Sequence, residues 1–239
     1  MHGPFQQLIN VTLEYGQGYD EVEGKDATLR TKIYDVTSEV KDRILDYHLH
    51  KIVYTLNANQ TIQSLKFLYK DRYNGSIKTL LDTTEGEKGN ETEEEIEFSD
   101  LEEITQVFFY VSKEERLVSI CIETNHGKTK YIGDSSKGEL IKDDDLDTKN
   151  NVVVGFGVNA NKKFGVTSMF CYILDKNKYG IFQYSGLLQL RAKLKANKDF
   201  RANLESKKDS LNENQKLLLN TCDLPDAAFF PIVSYVMSQ

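Results

Sequence analysis

Short β-rich runs separated by turn signals follow one another from Leu49 to Ile173, and they limit the fold more than any other feature. Asn74-Gly75 is a typical hairpin turn, and the runs recur at roughly 8–12-residue spacing with no helix-length period between them. This pattern argues against parallel βαβ units and predicts an all-β sandwich, barrel or prism. The predicted strands are Ile52–Leu56, Thr61–Tyr69, Ile77–Leu81, Glu95–Phe98, Ile104–Val111, Leu117–Thr124 and Lys130–Ile132.

The run from Val152 to Ile173 predicts the hairpin that closes this β region. Three consecutive valines bounded by Gly155 are typical of a short strand buried on both faces. The polar residues Asn159–Lys163 predict an exposed loop, and Phe164–Ile173 predicts the returning strand.

The two ends of the chain have different patterns. Leu8–Tyr15 and Ala27–Val36 predict further strands, whereas Ser38–Tyr47 fits either a helical turn or an extended link. After Tyr184 helical spacing prevails, and the capping-box pattern Ser210-Leu-Asn-Glu213 predicts a second short helix over Gln215–Asn220. We therefore predict a β domain over residues 1–183 and a helical extension over 184–239, whose apolar final segment buries itself against the β domain or a partner. The helical spacing involves Leu187, Leu190, Leu194, Phe200 and Leu204.

Composition and charge favour a soluble intracellular protein. The net charge of −7 argues against general binding of nucleic acid, which requires lysine and arginine to neutralise phosphates. Cys121, Cys171 and Cys222 are few and widely spaced, as expected of buried reduced thiols. The N-terminal residues lack the pattern of a signal peptide, and no apolar run reaches the roughly 20 residues of a membrane span.

Four segments, in order, resemble the jacalin-related lectin domain. They are Ile52-Val-Tyr54 with Thr61–Tyr69, Ile96-Glu-Phe98 with Glu102–Thr105, Leu117–Asn125 with Gly127, and Val152–Gly157 with Thr167–Tyr172. The resemblance is clear over residues 49–173 and implies a mainly β fold, a β-prism of three four-stranded antiparallel Greek-key sheets.

The same resemblance implies a sugar site at the last loop, where such lectins use backbone N–H groups of glycine-rich loops and one carboxylate. That carboxylate stands four residues after a glycine and accepts two sugar hydroxyls. Here Lys163 occupies the glycine position and Thr167 the position of the aspartate, so the carboxylate is missing. The candidate carbohydrate-binding residues are Gly86, Asn159, Asn161, Lys163 and Thr167.

Other patterns carry weaker chemical signals. His48 and His50 have the spacing of two metal ligands on one strand face, but no third ligand follows at a defined spacing. Asp143, Asp145 and Asp147 share the spacing of a calcium loop without its glycine and final glutamate, which favours a solvated acidic loop. The clusters Glu93–Glu95 and Glu102–Glu103 are typical of a solvated face or of a docking patch for a basic partner. No catalytic triad or nucleotide-binding loop is recognisable, so we expect no enzyme activity, no cofactor and no metal.

Residues 187–208 contain seven basic and two acidic residues. This stretch either packs on the β domain with its lysines in solvent or binds an acidic partner, such as an anionic membrane, nucleic acid or tubulin. The candidate partner-binding residues are Arg191, Lys195, Lys198, Phe229, Phe230 and Tyr235. Our leading hypothesis is a non-enzymatic component of a larger cytoplasmic assembly, with a cytoskeletal or ciliary host. The alternative is a working carbohydrate-binding lectin, and a hydrolase is a distant third.

Overall fold

Three antiparallel sheets make up most of the computed structural model. The structure describes residues 10–11, 15–16, 32–72, 75–84, 92–99, 102–113, 116–141, 150–161, 164–177, 179–180, 188, 191–192, 194–206, 208, 213–225 and 228–229. The strands are β1 (Asn10–Val11), β2 (Tyr15–Gly16), β3 (Lys32–Asp35), β4 (Tyr47–Leu56), β5 (Ile62–Asp71), β6 (Ile77–Asp82), β7 (Glu93–Glu97), β8 (Ile104–Val111), β9 (Leu117–Thr124), β10 (Thr129–Gly133), β11 (Glu139–Ile141), β12 (Asn151–Asn161) and β13 (Gly165–Asp175). Sheet A has the strand order β1-β13-β12-β3, with β2 also paired to β13; sheet B has the order β6-β5-β4-β7, and sheet C the order β10-β9-β8-β11.

Sheets B and C share one topology. In each, three consecutive strands are neighbours and the fourth returns beside the first, which is a Greek key. The predicted strands Ile104–Val111 and Leu117–Thr124 begin and end where β8 and β9 do. The mainly β fold that the resemblance implies is confirmed.

The core fills the space that the three sheets enclose. In each sheet the residues that face inward contribute to it, because alternate residues of a strand point to opposite faces. Phe67 of sheet B and Phe156 of sheet A meet there with ring centroids 5.1 Å apart. Ile52, Phe109 and Ile122 are also buried in this core, and each such side chain contributes about 1.5–3 kcal/mol of transfer free energy.

Asp35 ends β3 and starts the helical segment that leads to sheet B. Its carboxylate accepts hydrogen bonds from the Thr37 N–H and hydroxyl, both at 2.8 Å, and from the Tyr172 hydroxyl at 2.7 Å. Helix α1 (Val36–Val40) and a 3₁₀ helix (Lys41–Asp46) follow, so residues 38–46 take the helical alternative. Of the two strands predicted in this part, the structure describes residues 10–11, 15 and 32–36, and the others lie outside the described residues.

The prediction that Asn159–Lys163 forms a loop is wrong for its first three residues. Strand β12 continues to Asn161, with Asn159 opposite Ser168 and Asn161 opposite Gly165. The register of the β12–β13 pairing shifts between Asn159 and Ala160, and β3 pairs with these two residues from the other side. Pairing on both sides outweighs the weak strand preference of asparagine.

The described residues after the β domain include the helices α2 (Lys198–Ser206) and α3 (Glu213–Thr221). They confirm helix in the extension, and α3 includes the predicted span Gln215–Asn220. Arg201 on α2 forms ion pairs with Glu205 at 2.9 Å and with Asp223, just after α3, at 2.8 Å. The boundary between 183 and 184 lies outside the described residues and stays a prediction. The buried apolar side chains among the described residues of this part are Leu194, Leu218, Leu219, Cys222 and Phe229, and none of them belongs to the core of the sheets.

Candidate functional site

The end of the β12–β13 hairpin is the position where the resemblance implies a ligand site. Its turn is held against sheet B by Gly165, which has a positive φ of 73°. A Cβ atom at this position would lie 2.7 Å from the Cα and carbonyl oxygen of Gln63, so only glycine fits. The turn therefore sits directly on the start of β5.

The polar side chains of this hairpin point into the protein. Asn159 is 1% exposed, and its amide donates a hydrogen bond to the Ser168 hydroxyl at 2.9 Å. The side-chain oxygen Oδ1 of Asn161 accepts a hydrogen bond from the backbone N–H of Phe164 at 2.8 Å. Both asparagines brace the hairpin and its turn.

Thr167 stands where a carboxylate would bind sugar hydroxyls. It is 3% exposed, and its hydroxyl donates to the Asn159 carbonyl oxygen at 3.2 Å. A neutral, buried hydroxyl engaged in this way does not offer the two acceptor oxygens of a carboxylate. Gly86 and Lys163, the other two candidates, lie outside the described residues. The assignment of sugar binding to these five residues stays a prediction.

Loops of the other two sheets surround this turn. Their charged residues are not among the site candidates that were predicted from the sequence. The guanidinium of Arg116, before β9, lies 4.1 Å from the ring centroid of Phe164. The ammonium of Lys137 donates to the Asn59 carbonyl oxygen at 2.7 Å, in the turn that precedes β5. Asp134 accepts hydrogen bonds from Ser136, which hold the pKa of its carboxyl below the ordinary value. The charged turn at 113–116 was the only signal in the sequence for these neighbours.

The candidate partner-binding residues divide into buried and exposed groups. Arg191 is buried; it donates to the carbonyl oxygens of Cys222 at 3.3 Å and Leu224 at 2.6 Å, and its guanidinium lies 3.7 Å from the ring centroid of Phe229. Phe229 is fully buried, so this pair holds the extension together. Lys195 and Lys198 are exposed. Phe230 and Tyr235 lie outside the described residues.

A small, partly open pocket of about 40 Å³ lies at the opposite end of the prism, lined in part by His48, Tyr69, Arg72 and Tyr179. This volume holds one or two water molecules and is far below the roughly 300 Å³ of a small-molecule site.

Among the described residues no group of three potential metal ligands occurs, and Asp143, Asp145 and Asp147 lie outside them.

The acidic clusters of the sequence are separated in the structure. Glu93, Glu94 and Glu95 are exposed on β7, whereas Glu102 is buried and forms an ion pair with Lys130 at 2.9 Å. Burial disfavours ionisation of Glu102, but hydrogen bonds from Lys130 and from the Ser99 N–H outweigh burial and lower the pKa of the carboxyl. A general acid needs a raised pKa, so Glu102 does not fit that role.

None of the described helices has the length and apolar character of a membrane span.

The chain is similar to known proteins in sequence and in structure. The family model described as the jacalin-like lectin domain matches residues 31–166, more than half of the 239 residues. No curated protein sequence matches the chain. Similar solved structures include a single-chain recombinant jacalin (18% identity, 69% of this chain and 93% of that chain, TM-score 0.46) and frutalin from Artocarpus incisa (19%, 69% and 94%, 0.45). Another is the Calystegia sepium agglutinin (16% identity, 70% of this chain and 97% of that chain, TM-score 0.47).

Proposed function

Because the chain belongs to the family of jacalin-like lectin domains, we propose that it uses the β-prism of that family as a non-enzymatic, protein-binding scaffold in a larger intracellular assembly. One observation carries this proposal. At the position of the sugar-binding carboxylate stands Thr167, whose hydroxyl is buried and donates to the protein's own backbone. A prism with this substitution keeps its architecture while its sugar site lacks the main acceptor.

The extension supplies the surface that we propose for the partner. Lys195 and Lys198 expose their ammonium groups, while Arg191 and Phe229 support the helices from inside. A basic surface on a protein with a net charge of −7 suits an acidic protein better than a nucleic acid. The acidic surface of tubulin meets this requirement, so a cytoplasmic cytoskeletal or ciliary structure is the host that we propose.

Purification of the full chain from its native cells, followed by mass spectrometry of stoichiometric partners, tests this proposal. We expect the protein to migrate within a larger complex, and we expect Lys195→Glu with Lys198→Glu to reduce the recovered partner about tenfold. Lys113→Glu with Lys128→Glu, an equal charge change on exposed turns of sheet C, is the matched control and should leave recovery unchanged. Migration as a monomer without a partner would overturn the proposal.

The alternative is a carbohydrate-binding lectin, favoured by the family itself. In that case Asn159, Asn161 and backbone groups of the last loop bind the sugar. Calorimetric titration with a panel of monosaccharides that includes mannose and galactose separates the two functions. Saturable binding of a monosaccharide that changes in the loop 159–167 abolish favours the lectin; no heat of binding from any sugar favours the scaffold.

A further inference from the structure

The outer face of sheet C carries two large apolar side chains that are exposed to solvent. Tyr131 on β10 is 51% exposed, and Leu140 on β11 is 40% exposed. The residues that follow them, Ile132 and Ile141, pack on the core of the sheets, and successive residues of a strand point to opposite faces. Tyr131 and Leu140 therefore point away from the core.

Two cross-strand rows connect these side chains into one surface. In the first row Tyr131 lies opposite Cys121, which lies opposite Phe108. In the second row Leu140 lies opposite Tyr110. Phe108 and Tyr110 are half-buried, whereas Cys121 is only 3% exposed and its thiol shares a hydrogen bond with the Tyr131 hydroxyl. We call these five residues the apolar face, and none of them carries a charged side chain.

The borders of the apolar face leave its two exposed side chains open. Glu123, half-buried, is in the next row and lies opposite Thr129. At the other end the chain crosses from β10 to β11, where Gly138 lies against the Val118 side chain. The apolar face therefore occupies the middle of the sheet.

The outer face of sheet B has a different composition. There Lys51 forms ion pairs with Glu95 and Glu97, and Lys66 forms one with Asp82. Such charged side chains suit a sheet that stays in contact with water. An exposed apolar patch is instead typical of an interaction surface, so of these two faces the one on sheet C is suited to burial against a partner.

We propose that the apolar face of one copy packs on the same face of a second copy, so that two β-prisms form a two-fold symmetric dimer. A two-fold contact requires a patch that is complementary to itself. A patch of one charge would repel its own copy, whereas the apolar face has no charge to repel. Its shape also suits its own copy, because Tyr131 and Leu140 protrude on either side of the buried Cys121, and packed sheets interdigitate their side chains.

The size of sheet C predicts a weak dimer. Its longest strands have eight residues, and four strands lie side by side, which gives a face of roughly 25 by 20 Å. Two such faces bury about 1,000 Å² in total, at the lower limit of specific interfaces. We therefore expect a dimer that dissociates on dilution.

This inference goes beyond the proposed function, because it uses a surface other than the helical extension. Sedimentation velocity of the purified full chain over a range of concentrations tests it. We expect the mean mass to rise from that of a monomer to that of a dimer and no further, because a two-fold contact closes on itself. Added salt should not weaken the dimer, since the burial of apolar surface holds it together.

Two introduced charges identify the face. Tyr131→Glu with Leu140→Glu should weaken association at least tenfold, because the dimer would bury carboxylates without partners. Ile33→Glu with Ile77→Glu is the matched control and should leave association unchanged, since these side chains are 55% and 50% exposed on sheets A and B. Leu140→Glu alone spares the hydrogen bond between Cys121 and Tyr131 and covers the case in which the double variant is unstable.

Thiol labelling locates the contact by a second measurement. Cys121, Cys171 and Cys222 are all buried, so an introduced surface cysteine is the main target of a maleimide in the folded chain. Labelling of Leu140→Cys should slow as the dimer forms. Labelling of Ile77→Cys should not change with protein concentration.

A chain that stays monomeric at every concentration overturns the inference, as does growth past a dimer. An association that Tyr131→Glu with Leu140→Glu leaves unchanged, or that the control variant weakens equally, also overturns it. If the purified chain is monomeric yet recovers another protein from cells, the dimer fails and the scaffold function stands. If it forms dimers but recovers no other protein, the dimer stands and the wider assembly fails.

Discussion

Lys130 joins sheet C to the end of β7 through three contacts. Its ammonium lies 2.9 Å from the Glu102 carboxylate and 3.9 Å from the ring centroid of Phe98, and it donates to the Glu97 carbonyl oxygen. The Glu102 side chain is 1% exposed and that of Lys130 13%. Removal of one partner from a pair this deeply buried leaves a charge without compensation.

Glu102→Gln should therefore lower the free energy of unfolding by about 3 kcal/mol at neutral pH. The folded-state pKa of Glu102 lies below its unfolded value, so its contribution is present above the unfolded pKa of about 4.3 and is lost as pH falls through the folded pKa. The difference in free energy of unfolding between wild type and variant should therefore be smaller at about pH 3, below the unfolded pKa, than at about pH 6, above it. Urea unfolding at both pH values measures it.

Glu139→Gln is the control, because Glu139 is exposed on the edge strand β11. It should change the free energy of unfolding by less than about 0.5 kcal/mol at either pH. A loss at Glu102→Gln that stays equal at both pH values would contradict the ion pair as its cause.

At the scale of single residues, the sequence predicted which residue occupies a site position better than it predicted the burial and contacts of that residue. It showed that Thr167 replaces a carboxylate, because alignment to a family pattern needs only residue identities. It did not show that Asn159 and Thr167 are buried, since β3 pairs beside β12 and β2 beside β13 from more than 120 positions earlier in the chain. Nor did spacing reveal the contact between Arg116 and Phe164, which lie on different sheets.

At the scale of elements, the β12–β13 turn depends on one glycine. Gly165 combines a φ of 73° with backbone atoms of Gln63 at 2.7 Å from its virtual Cβ. Gly127, in the β9–β10 turn, has a similar φ of 68° but no atom within 4 Å. A side chain at Gly127 would meet conformational strain alone, whereas a side chain at Gly165 would meet both strain and a steric clash.

Gly165→Ala should destabilise the protein by about 2–4 kcal/mol, because strain and a backbone clash add. Gly127→Ala has the strain alone and should cost about 1 kcal/mol. Thermal and urea unfolding of both variants measure the difference. Equal costs would show that the turn moves away from β5 without resistance, against the tight contact described above.

Strand boundaries were predicted best where both partners are local. Strands β8 and β9 form one hairpin, and the alternating pattern alone defines their ends. Strand β7 begins two residues earlier than predicted, because β4 offers Thr55 and Tyr54 as partners to Glu93 and Glu94. Glutamate is a poor strand former, so only the partner strand reveals this extension.

At the scale of the whole molecule, the buried apolar side chains of the helical extension lie apart from the core of the sheets. The core of the sheets excludes Leu194, Leu218, Cys222 and Phe229, which are buried within the helical extension. A small group of buried residues supports limited stability by itself, so we expect the extension to open before the prism does.

Leu218→Ala should speed hydrogen exchange in α2 and α3 at least tenfold without a change in β9, because Leu218 is fully buried outside the main core. Leu65→Ala, a matched change in the core of the sheets, should speed exchange in β9 as well. Hydrogen-exchange mass spectrometry measures both. Faster exchange of β9 in Leu218→Ala would instead indicate one cooperative unit.

The composition of sheet A also constrains the order in which the chain can fold. Sheets B and C each use one continuous stretch, residues 47–97 and 104–141, whereas sheet A joins residues 10–35 to residues 151–175. Closure of such a long loop costs chain entropy that local pairing does not. During synthesis β1–β3 emerge before sheets B and C, but their partners among the described strands are β12 and β13, which emerge after both sheets. Strands made before sheets B and C are thus paired after them, and the β12–β13 hairpin closes sheet A late in folding.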